Sequence, residues 1–291
     1  MADHLLTLST GRKLGYAEFG DPTGVPLFFL HGWPSSRLQG EALDLIGKKR
    51  GLRVIAPDRP GIGLSEFQPK RVLLDWPDVF RELAASVGAE KFYLVGVSGG
   101  APYCHVLSHA MPERILGVGV LCGAPPLKVT GTDGLMWTYK LGLWANHRVP
   151  WALTPGLRAA RWFMTEKPTD WPIRGLIAKL GVLDREALSD PYRYNIVASS
   201  GREGLRSKAL ALSVDGDVYS SDWGFDLSGI QIPVHLWHGD SDMNIPIASA
   251  RVVATLIPKA VPRWFAGDGH YSLPLLRSEM LIDTLLAEAR L

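Results

Sequence analysis

Ser98 has the strongest sequence signal for chemistry in this 291-residue chain. It lies in the pentapeptide G-V-S-G-G at 96–100, which follows an apolar strand-like run, Phe92 to Val95, and precedes a helix-like segment. The pattern G-x-S-x-G between a strand and a helix is typical of a nucleophile elbow, a strained turn that small neighbours permit. We therefore predict that Ser98 is a nucleophile and that the Gly99 N–H faces a developing oxyanion. The alternative is a glycine-rich turn that only joins a strand to a helix.

A serine hydroxyl becomes a good nucleophile only when a base accepts its proton and a carboxylate orients that base. His270, in G-D-G-H at 267–270, follows the last predicted strand, and Asp242, in H-G-D-S-D at 238–242, follows the strand before it. Asp240 competes with Asp242 for the role of the acid, but we expect Asp240 to brace the turn through its own backbone. Because loops at the carboxyl ends of parallel strands converge on one sheet edge, we predict a Ser98–Asp242–His270 triad.

A second oxyanion donor is predicted in the tetrapeptide H-G-W-P at 31–34, which follows the strand-like run Val25 to Leu30. The backbone N–H of Trp33 would supply it. The Trp33 indole could line an acyl pocket or pack beneath the loop, and its bond to Pro34 is a candidate cis peptide because X-Pro bonds have a low cis penalty. His31 and His238 also follow strands, but each lies in a His-Gly turn where a structural hydrogen bond is an equally good explanation.

The elements that must position these residues alternate between short apolar runs and longer helix-like segments. We predict an N-terminal hairpin around residues 7–16, a helix over about 38–50 and a final helix from about Pro274. The strand candidates are Val25–Leu30, Arg53–Ala56, Phe92–Val95, Ile115–Leu121, Val234–Trp237 and a run near Trp264. Nearly continuous apolar strands separated by helices predict a parallel sheet that helices cover on both faces.

The strand rhythm stops between about residues 124 and 229, a segment too long to be a plain loop. We therefore predict a helical insertion there. It contains six of the ten tryptophans, namely Trp137, Trp144, Trp151, Trp162, Trp171 and Trp223. Because tryptophan usually packs, we expect most of them in the core of the insertion or against the sheet. Some apolar side chains of the insertion should face Ser98, which predicts an apolar pocket for substrates with alkyl or aryl groups.

Composition excludes several other classes of function. The 31 Lys and Arg residues nearly balance 29 Asp and Glu residues, so a nucleic-acid partner is not expected. Cys104 and Cys122 are too few for a disulfide framework and fit a reducing compartment. No leader and no apolar run of about 20 residues is visible, so we expect a cytoplasmic protein without a membrane span. His105 and His109, at i and i+4, lack the glutamate of a zinc motif, so we expect no metal and no cofactor.

Five motifs together resemble the α/β-hydrolase superfamily over nearly the whole chain. They are H-G-W-P at 31–34, D-R-P-G-I-G-L-S at 58–65, G-V-S-G-G at 96–100, G-D-S-D at 239–242 and G-H at 269–270. The resemblance implies a mostly parallel eight-stranded sheet with flanking helices and a helical cap inserted after the sixth strand. It divides the chain into a core domain, 1–124 with 229–291, and a cap, 125–228. Serine at the elbow, where dehalogenases and epoxide hydrolases of this family have aspartate, indicates the serine-nucleophile, cap-bearing, esterase-like branch.

The predicted function is a serine hydrolase that acts on small carboxylic esters with apolar acyl or alcohol groups through an acyl-enzyme. A C–C bond, lactone or amide hydrolase with the same triad is one alternative. A slow-turnover ligand-binding or signalling member of the superfamily is another. The sequence does not predict the natural substrate or the oligomeric state.

Overall fold

The computed structural model describes residues 2–164, 167, 169–171, 173–206 and 209–288. Within them, one sheet has eight strands in the order β1-β2-β4-β3-β5-β6-β7-β8. Strands β1 and β2 run antiparallel to their neighbours, and the other six are parallel. The strands are β1 Ala2–Thr7, β2 Lys13–Gly20, β3 Val25–Leu30, β4 Leu52–Pro57, β5 Phe92–Val97, β6 Ile115–Leu121, β7 Val234–Gly239 and β8 Ala260–Phe265. The predicted mostly parallel eight-stranded sheet and its N-terminal hairpin are confirmed.

The sheet is apolar on both sides, and helices of the core cover both. Helix α1 is Asp44–Arg50, α2 is Trp76–Ser86 and α3 is Ala101–Ala110. Helices α2 and α3 pack on the face that carries Phe28 and Leu94. Since β5 is buried over its whole length, an uninterrupted apolar run is what this position requires. The predicted helix over 38–50 is divided, because Arg37–Leu43 forms a 3-10 helix before α1.

In the described part of the segment between β6 and β7 there are seven α-helices and no strand. They form the inserted helical cap that the resemblance implies, while its exact boundaries at 125 and 228 stay a prediction. The cap helices are α4 Leu127–Thr130, α5 Trp137–Arg148, α6 Pro150–Phe163, α7 Ile173–Ile177, α8 Val182–Ser189, α9 Pro191–Gly204 and α10 Ala209–Ser220.

The expectation that most cap tryptophans pack is wrong, because five of the six are exposed. Trp223 alone among them is buried, in the core cluster beneath α3. The five exposed side chains are Trp137, Trp144, Trp151, Trp162 and Trp171.

The chain ends in three core helices, α11 Ile247–Leu256, α12 Ser272–Leu276 and α13 Ser278–Glu288. The predicted single helix from Pro274 is therefore two helices, and α12 starts directly after His270 and Tyr271. Helix α13 covers the second face of the sheet, where Leu281 and Leu285 join the cluster that contains Trp237. None of the helices in the described ranges combines the length and apolarity needed to cross a membrane.

Candidate active site

Ser98 occupies a strained turn between β5 and α3. Its φ angle is +51°, in the left-handed region that side chains rarely adopt. Its glycine neighbours are required by space, because a Cβ on Gly96 would lie 2.6 Å from Cys104 Sγ and one on Gly100 would lie 2.0 Å from Leu30 O. The elbow therefore holds the serine at the carboxyl end of β5, where the sequence places it.

Asp242 and His270 form a buried pair at the carboxyl ends of β7 and β8. His270 Nδ1 lies 2.8 Å from Asp242 Oδ2, so this nitrogen donates to the carboxylate. The other oxygen, Asp242 Oδ1, accepts hydrogen bonds from the N–H groups of Asn244 at 2.8 Å and Ile245 at 2.9 Å. These contacts fix the carboxylate and leave His270 Nε2 for a second partner.

The competing acid, Asp240, has a different role. Its Oδ1 accepts from the backbone N–H of Gly267 at 2.8 Å and from Ser241 Oγ at 3.1 Å, so it links its own turn to the loop that leads to His270. His238 Nε2 donates to Ile245 O at 2.9 Å. His31 Nδ1 lies 2.9 Å from Gly32 O. Both histidines therefore make structural hydrogen bonds to backbone.

Electrostatics favour a charged acid and a basic imidazole. Burial disfavours the imidazolium, but the Asp242 carboxylate outweighs burial and raises the pKa of His270 above its ordinary value. Burial likewise opposes the carboxylate, but His270 lowers the pKa of Asp242. The carboxylate stabilises the proton that His270 would receive from a nucleophile.

Ser98 and His270 line the same cavity, which has a volume of about 120 Å³. Aromatic and aliphatic side chains dominate its wall, and Tyr271 lies beside the histidine. The apolar lining includes Phe29, Trp33, Val97, Leu121, Tyr139, Met164, Trp237 and Leu281. The structure thus brings Ser98 and His270 to one apolar pocket, and Asp242 is bonded to His270 through Nδ1.

The two predicted oxyanion donors lie next to each other. A Cβ added to Gly99 would be 3.1 Å from Trp33 N, so the two backbones are in close contact beside Ser98. Ser98 O, in the peptide unit that carries the Gly99 N–H, accepts from Ala124 N at 2.9 Å. The Trp33 indole lines the cavity and packs against Tyr219, with ring centroids 5.6 Å apart. The Trp33–Pro34 peptide bond is cis.

Arg59 holds the loop that carries Trp33, and the sequence motif at 58–65 did not predict this. Arg59 Nη1 donates to His31 O at 2.6 Å and Arg59 Nη2 to Gly32 O at 2.8 Å. Gly32 O belongs to the same planar peptide unit as the Trp33 N–H, and in a trans unit these two groups point in opposite directions. Fixing the oxygen therefore fixes the direction of the N–H.

Arg59 is itself held by Asp215 of cap helix α10. Arg59 Nη2 lies 3.0 Å from Asp215 Oδ2, and Arg71 bonds the other carboxylate oxygen. All three side chains are buried. Burial opposes ionisation, but the two guanidiniums lower the pKa of Asp215 to about 2. One turn further along α10, Tyr219 donates to Gly99 O at 3.1 Å. Helix α10 of the cap thus contacts both segments that carry oxyanion donors.

Asp184 of cap helix α8 is a further site residue that sequence reasoning missed. Its carboxylate accepts hydrogen bonds from three successive backbone N–H groups, those of His270 at 3.1 Å, Tyr271 at 3.0 Å and Ser272 at 2.8 Å. The side chain is fully buried. A single aspartate in a helix-forming segment carries no sequence signal for this role.

Cys122 lies near the acid and base but is a poor metal ligand. Its Sγ and ligand atoms of Asp242 and His270 lie within 4.8 Å of one another. Burial raises the pKa of the Cys122 thiol well above its ordinary value, with Asp242 adding to the effect. A protonated thiol does not ligate a metal well, and the Asp242–His270 pair already uses both other atoms. Burial also raises the pKa of Cys104, which packs in the core as expected.

His105 and His109, which we expect to be structural, pack against aromatic rings. His105 is buried beside Trp223, with ring centroids 6.1 Å apart. His109 packs against Phe225 at 5.1 Å. Both histidines therefore support the contact between α3 and the last part of the predicted cap.

Comparison with known proteins agrees with this fold. The chain is 28% identical over 297 residues to a non-heme chloroperoxidase of Streptomyces lividans, covering 97% of this chain and 98% of that one. It is 25% identical to a bifunctional esterase/perhydrolase of Acinetobacter calcoaceticus, covering 98% and 99%. The solved structure of an esterase from Exiguobacterium antarcticum is similar, with a TM-score of 0.71 at 16% identity and complete coverage of both chains. A family profile described as alpha/beta hydrolase fold matches residues 25–275, and the chain therefore belongs to that family.

Proposed function

We propose that this protein is a serine hydrolase that cleaves carboxylic esters with apolar acyl or alcohol groups, an activity of class EC 3.1.1. The observation that carries the proposal is one apolar cavity lined by both Ser98, which sits in a strained turn, and His270, whose Nδ1 is bonded to the buried Asp242. Membership of a hydrolase family supports the general reaction, and the site residues and the ester substrate are our own assignments.

In the proposed first step, His270 Nε2 takes the proton of Ser98 as Oγ attacks the ester carbonyl carbon. The carbonyl oxygen becomes an oxyanion that the N–H groups of Trp33 and Gly99 stabilise. The C–O bond to the alcohol then breaks, and the alcohol leaves with the proton from His270. Asp242 stabilises the imidazolium while it exists and keeps Nδ1 protonated.

In the second step, His270 accepts a proton from water, whose oxygen attacks the acyl carbon. Collapse of the new tetrahedral intermediate releases the acid, and the proton returns to Ser98 Oγ. The wall of the cavity favours alkyl or aryl groups on the substrate, since most of its surface is apolar.

Perhydrolysis is a second candidate activity of the same site. It is favoured by relatives named as non-heme chloroperoxidase and as esterase/perhydrolase, which match nearly the whole chain. Hydrogen peroxide would replace water in the second step, so that its oxygen attacks the acyl-enzyme and a peracid leaves. No change in the proposed residues is needed, because only the nucleophile of deacylation differs.

The central test is labelling with a fluorophosphonate followed by peptide mapping, together with turnover of p-nitrophenyl esters. We expect the label on Ser98 and a loss of at least about 10³-fold in kcat for Ser98→Ala. Ser108→Ala removes another buried serine hydroxyl, in α3, and should keep both labelling and turnover. A label on any other residue, or near-normal turnover by Ser98→Ala, would refute the assignment.

A substrate panel then separates the reaction classes. Comparing kcat/KM for esters, lactones, amides and C–C bond substrates, with and without hydrogen peroxide, identifies the preferred bond and the preferred nucleophile. A kcat below about 1 s⁻¹ on every substrate, with tight retention of one ligand, would favour a binding role instead. We further propose that residues 125–228 form the cap as one unit. The cytoplasmic location stays a prediction, and so does the lack of a metal or cofactor.

A further inference from the structure

Helices α5 and α6 of the cap present large apolar side chains to solvent at helical spacing. On α5, Trp137, Leu141 and Trp144 follow one another at intervals of four and three residues and are exposed by 60%, 52% and 55%. On α6, Trp151 and Trp162 are exposed by 79% and 78%. Their separation of 11 residues is close to three helical turns, so they lie on one side of α6. We call these five side chains the tryptophan face.

Packing within the protein does not account for the tryptophan face. The two helices pack against each other, and they still leave these side chains outside the cap core. Large apolar side chains that are exposed at helical spacing on neighbouring helices indicate a surface that another molecule or a membrane covers. Single exposed apolar residues need no such explanation, but repeated tryptophans on one side of each of two adjacent helices do.

The positively charged residues on α5 and α6 indicate which partner would bind the tryptophan face. Lys140, Arg148, Arg158 and Arg161 lie on the same two helices and are exposed. Among the residues that the structure describes, none of these four cations forms an ion pair. The segment 135–180 contains seven Lys and Arg residues against two Asp and Glu residues, whereas the rest of the chain has more acidic than basic residues. The tryptophan face is therefore also a basic surface.

We propose that the tryptophan face docks on an anionic lipid surface. Tryptophan favours the boundary between lipid and water, and neighbouring Lys and Arg side chains attract anionic headgroups. A second copy of the chain fits less well, because a two-fold interface sets the same patch against itself and would bring these cations together.

A second apolar cavity lies between this surface and the cavity of the candidate active site. It has a volume of about 510 Å³, and Trp137 forms part of its wall. It shares Met164, Val197 and Tyr271 with the cavity that contains Ser98. If the proposed esterase function holds, the substrate is a lipid-soluble ester that enters from the bound surface rather than from water.

The test is cosedimentation with vesicles of phosphatidylcholine alone or mixed with phosphatidylglycerol. We expect binding to the anionic vesicles and a weakening of that binding with salt. Arg158→Gln combined with Arg161→Gln should weaken binding to anionic vesicles roughly thirtyfold, the equivalent of about 1 kcal/mol for each cation. Trp151→Gln combined with Trp162→Gln should weaken it by about tenfold or more, since both rings leave the interface.

Leu45→Gln on α1 and Arg81→Gln on α2 are matched controls, because each changes an exposed residue of the same kind outside the tryptophan face. They should bind vesicles like the wild type. The proposal is overturned by an absence of binding to anionic vesicles or by binding that the tryptophan variants leave unchanged. It is also overturned if light scattering shows a dimer that those variants dissociate. Since binding is measured without substrate and with Ser98→Ala protein as well, its failure is separate from failure of the proposed esterase.

Discussion

Replacing Arg59 by methionine tests whether the loop that carries Trp33 is held for catalysis. The variant loses the bonds to His31 O and Gly32 O, and the peptide unit that carries the Trp33 N–H is no longer fixed. We expect the Arg59→Met variant to fold, because Arg71 remains as the counter-ion of Asp215. Two buried carbonyls that lose a charged donor should lower the free energy of unfolding by about 2–5 kcal/mol.

The effect on turnover has an upper bound. Complete removal of an oxyanion donor lowers kcat by about 10²–10³-fold. The Arg59→Met variant keeps the Trp33 N–H, but the orientation of this group is no longer fixed. We therefore expect a decrease in kcat of about 10–100-fold with little change in KM. Arg59→Lys, whose ammonium can replace one of the two bonds, should recover part of this loss.

The assay is steady-state turnover of p-nitrophenyl esters, together with the affinity for a trifluoromethyl ketone and for its methyl ketone analogue. Only the fluorinated compound forms an oxyanion adduct readily, so Arg59→Met should weaken it selectively. Arg71→Met is the matched control, because it removes a guanidinium from the same carboxylate without touching Gly32 O. If a folded Arg59→Met protein keeps kcat within about threefold of wild type, or Arg71→Met loses as much, the reasoning fails.

Three further outcomes follow from the buried carboxylates. The wild type should gain activity as pH rises through the raised pKa of His270, and Asp242→Asn should move this limb of the kcat/KM profile to lower pH while lowering kcat by about 10⁴-fold. Asp184→Ala should lower the free energy of unfolding, measured with urea, by about 2–4 kcal/mol, and it should lower kcat roughly tenfold. An unchanged kcat would show that the three N–H bonds to Asp184 do not position His270. Despite burial, the pKa of Asp215 is lowered from its ordinary value of 3.8 to about 2 by Arg59 and Arg71. The ionised carboxylate therefore stabilises the fold at pH values above 3.8, and this stability is lost as the pH falls toward about 2. The difference in unfolding free energy between wild type and Asp215→Asn should shrink over that interval, and a constant difference would contradict this.

The strands and the elbow could be predicted because their signals are local. An uninterrupted apolar run such as Phe92 to Val95 is required where a strand is buried on both faces, and the glycines around Ser98 are required by contacts of a few ångströms. The Asp242–His270 pair could be predicted because loops at the ends of parallel strands meet at one edge.

The supports of the site could not be predicted, because each depends on a contact between distant segments. Asp184 is 86 residues from His270 in the chain, and Asp215 is 156 residues from Arg59. Nothing in the spacing of either aspartate distinguishes it from a solvated one. The prediction that most cap tryptophans are buried was wrong for a related reason. The spacing of Trp137 and Trp144 shows that one side of the helix is apolar, but it does not show whether that side faces the core or the solvent.

The Asp184 carboxylate has a consequence for engineering and for divergence within the family. Because a side chain of α8 binds the backbone that leads into α12, the insertion and the histidine loop form one mechanical unit rather than interchangeable modules. A chimera that exchanges the whole insertion with that of a relative would lose this anchor even if the new pocket had the desired shape. Breakpoints that keep 182–189 with the parent scaffold and replace only the preceding helices should preserve turnover while changing selectivity.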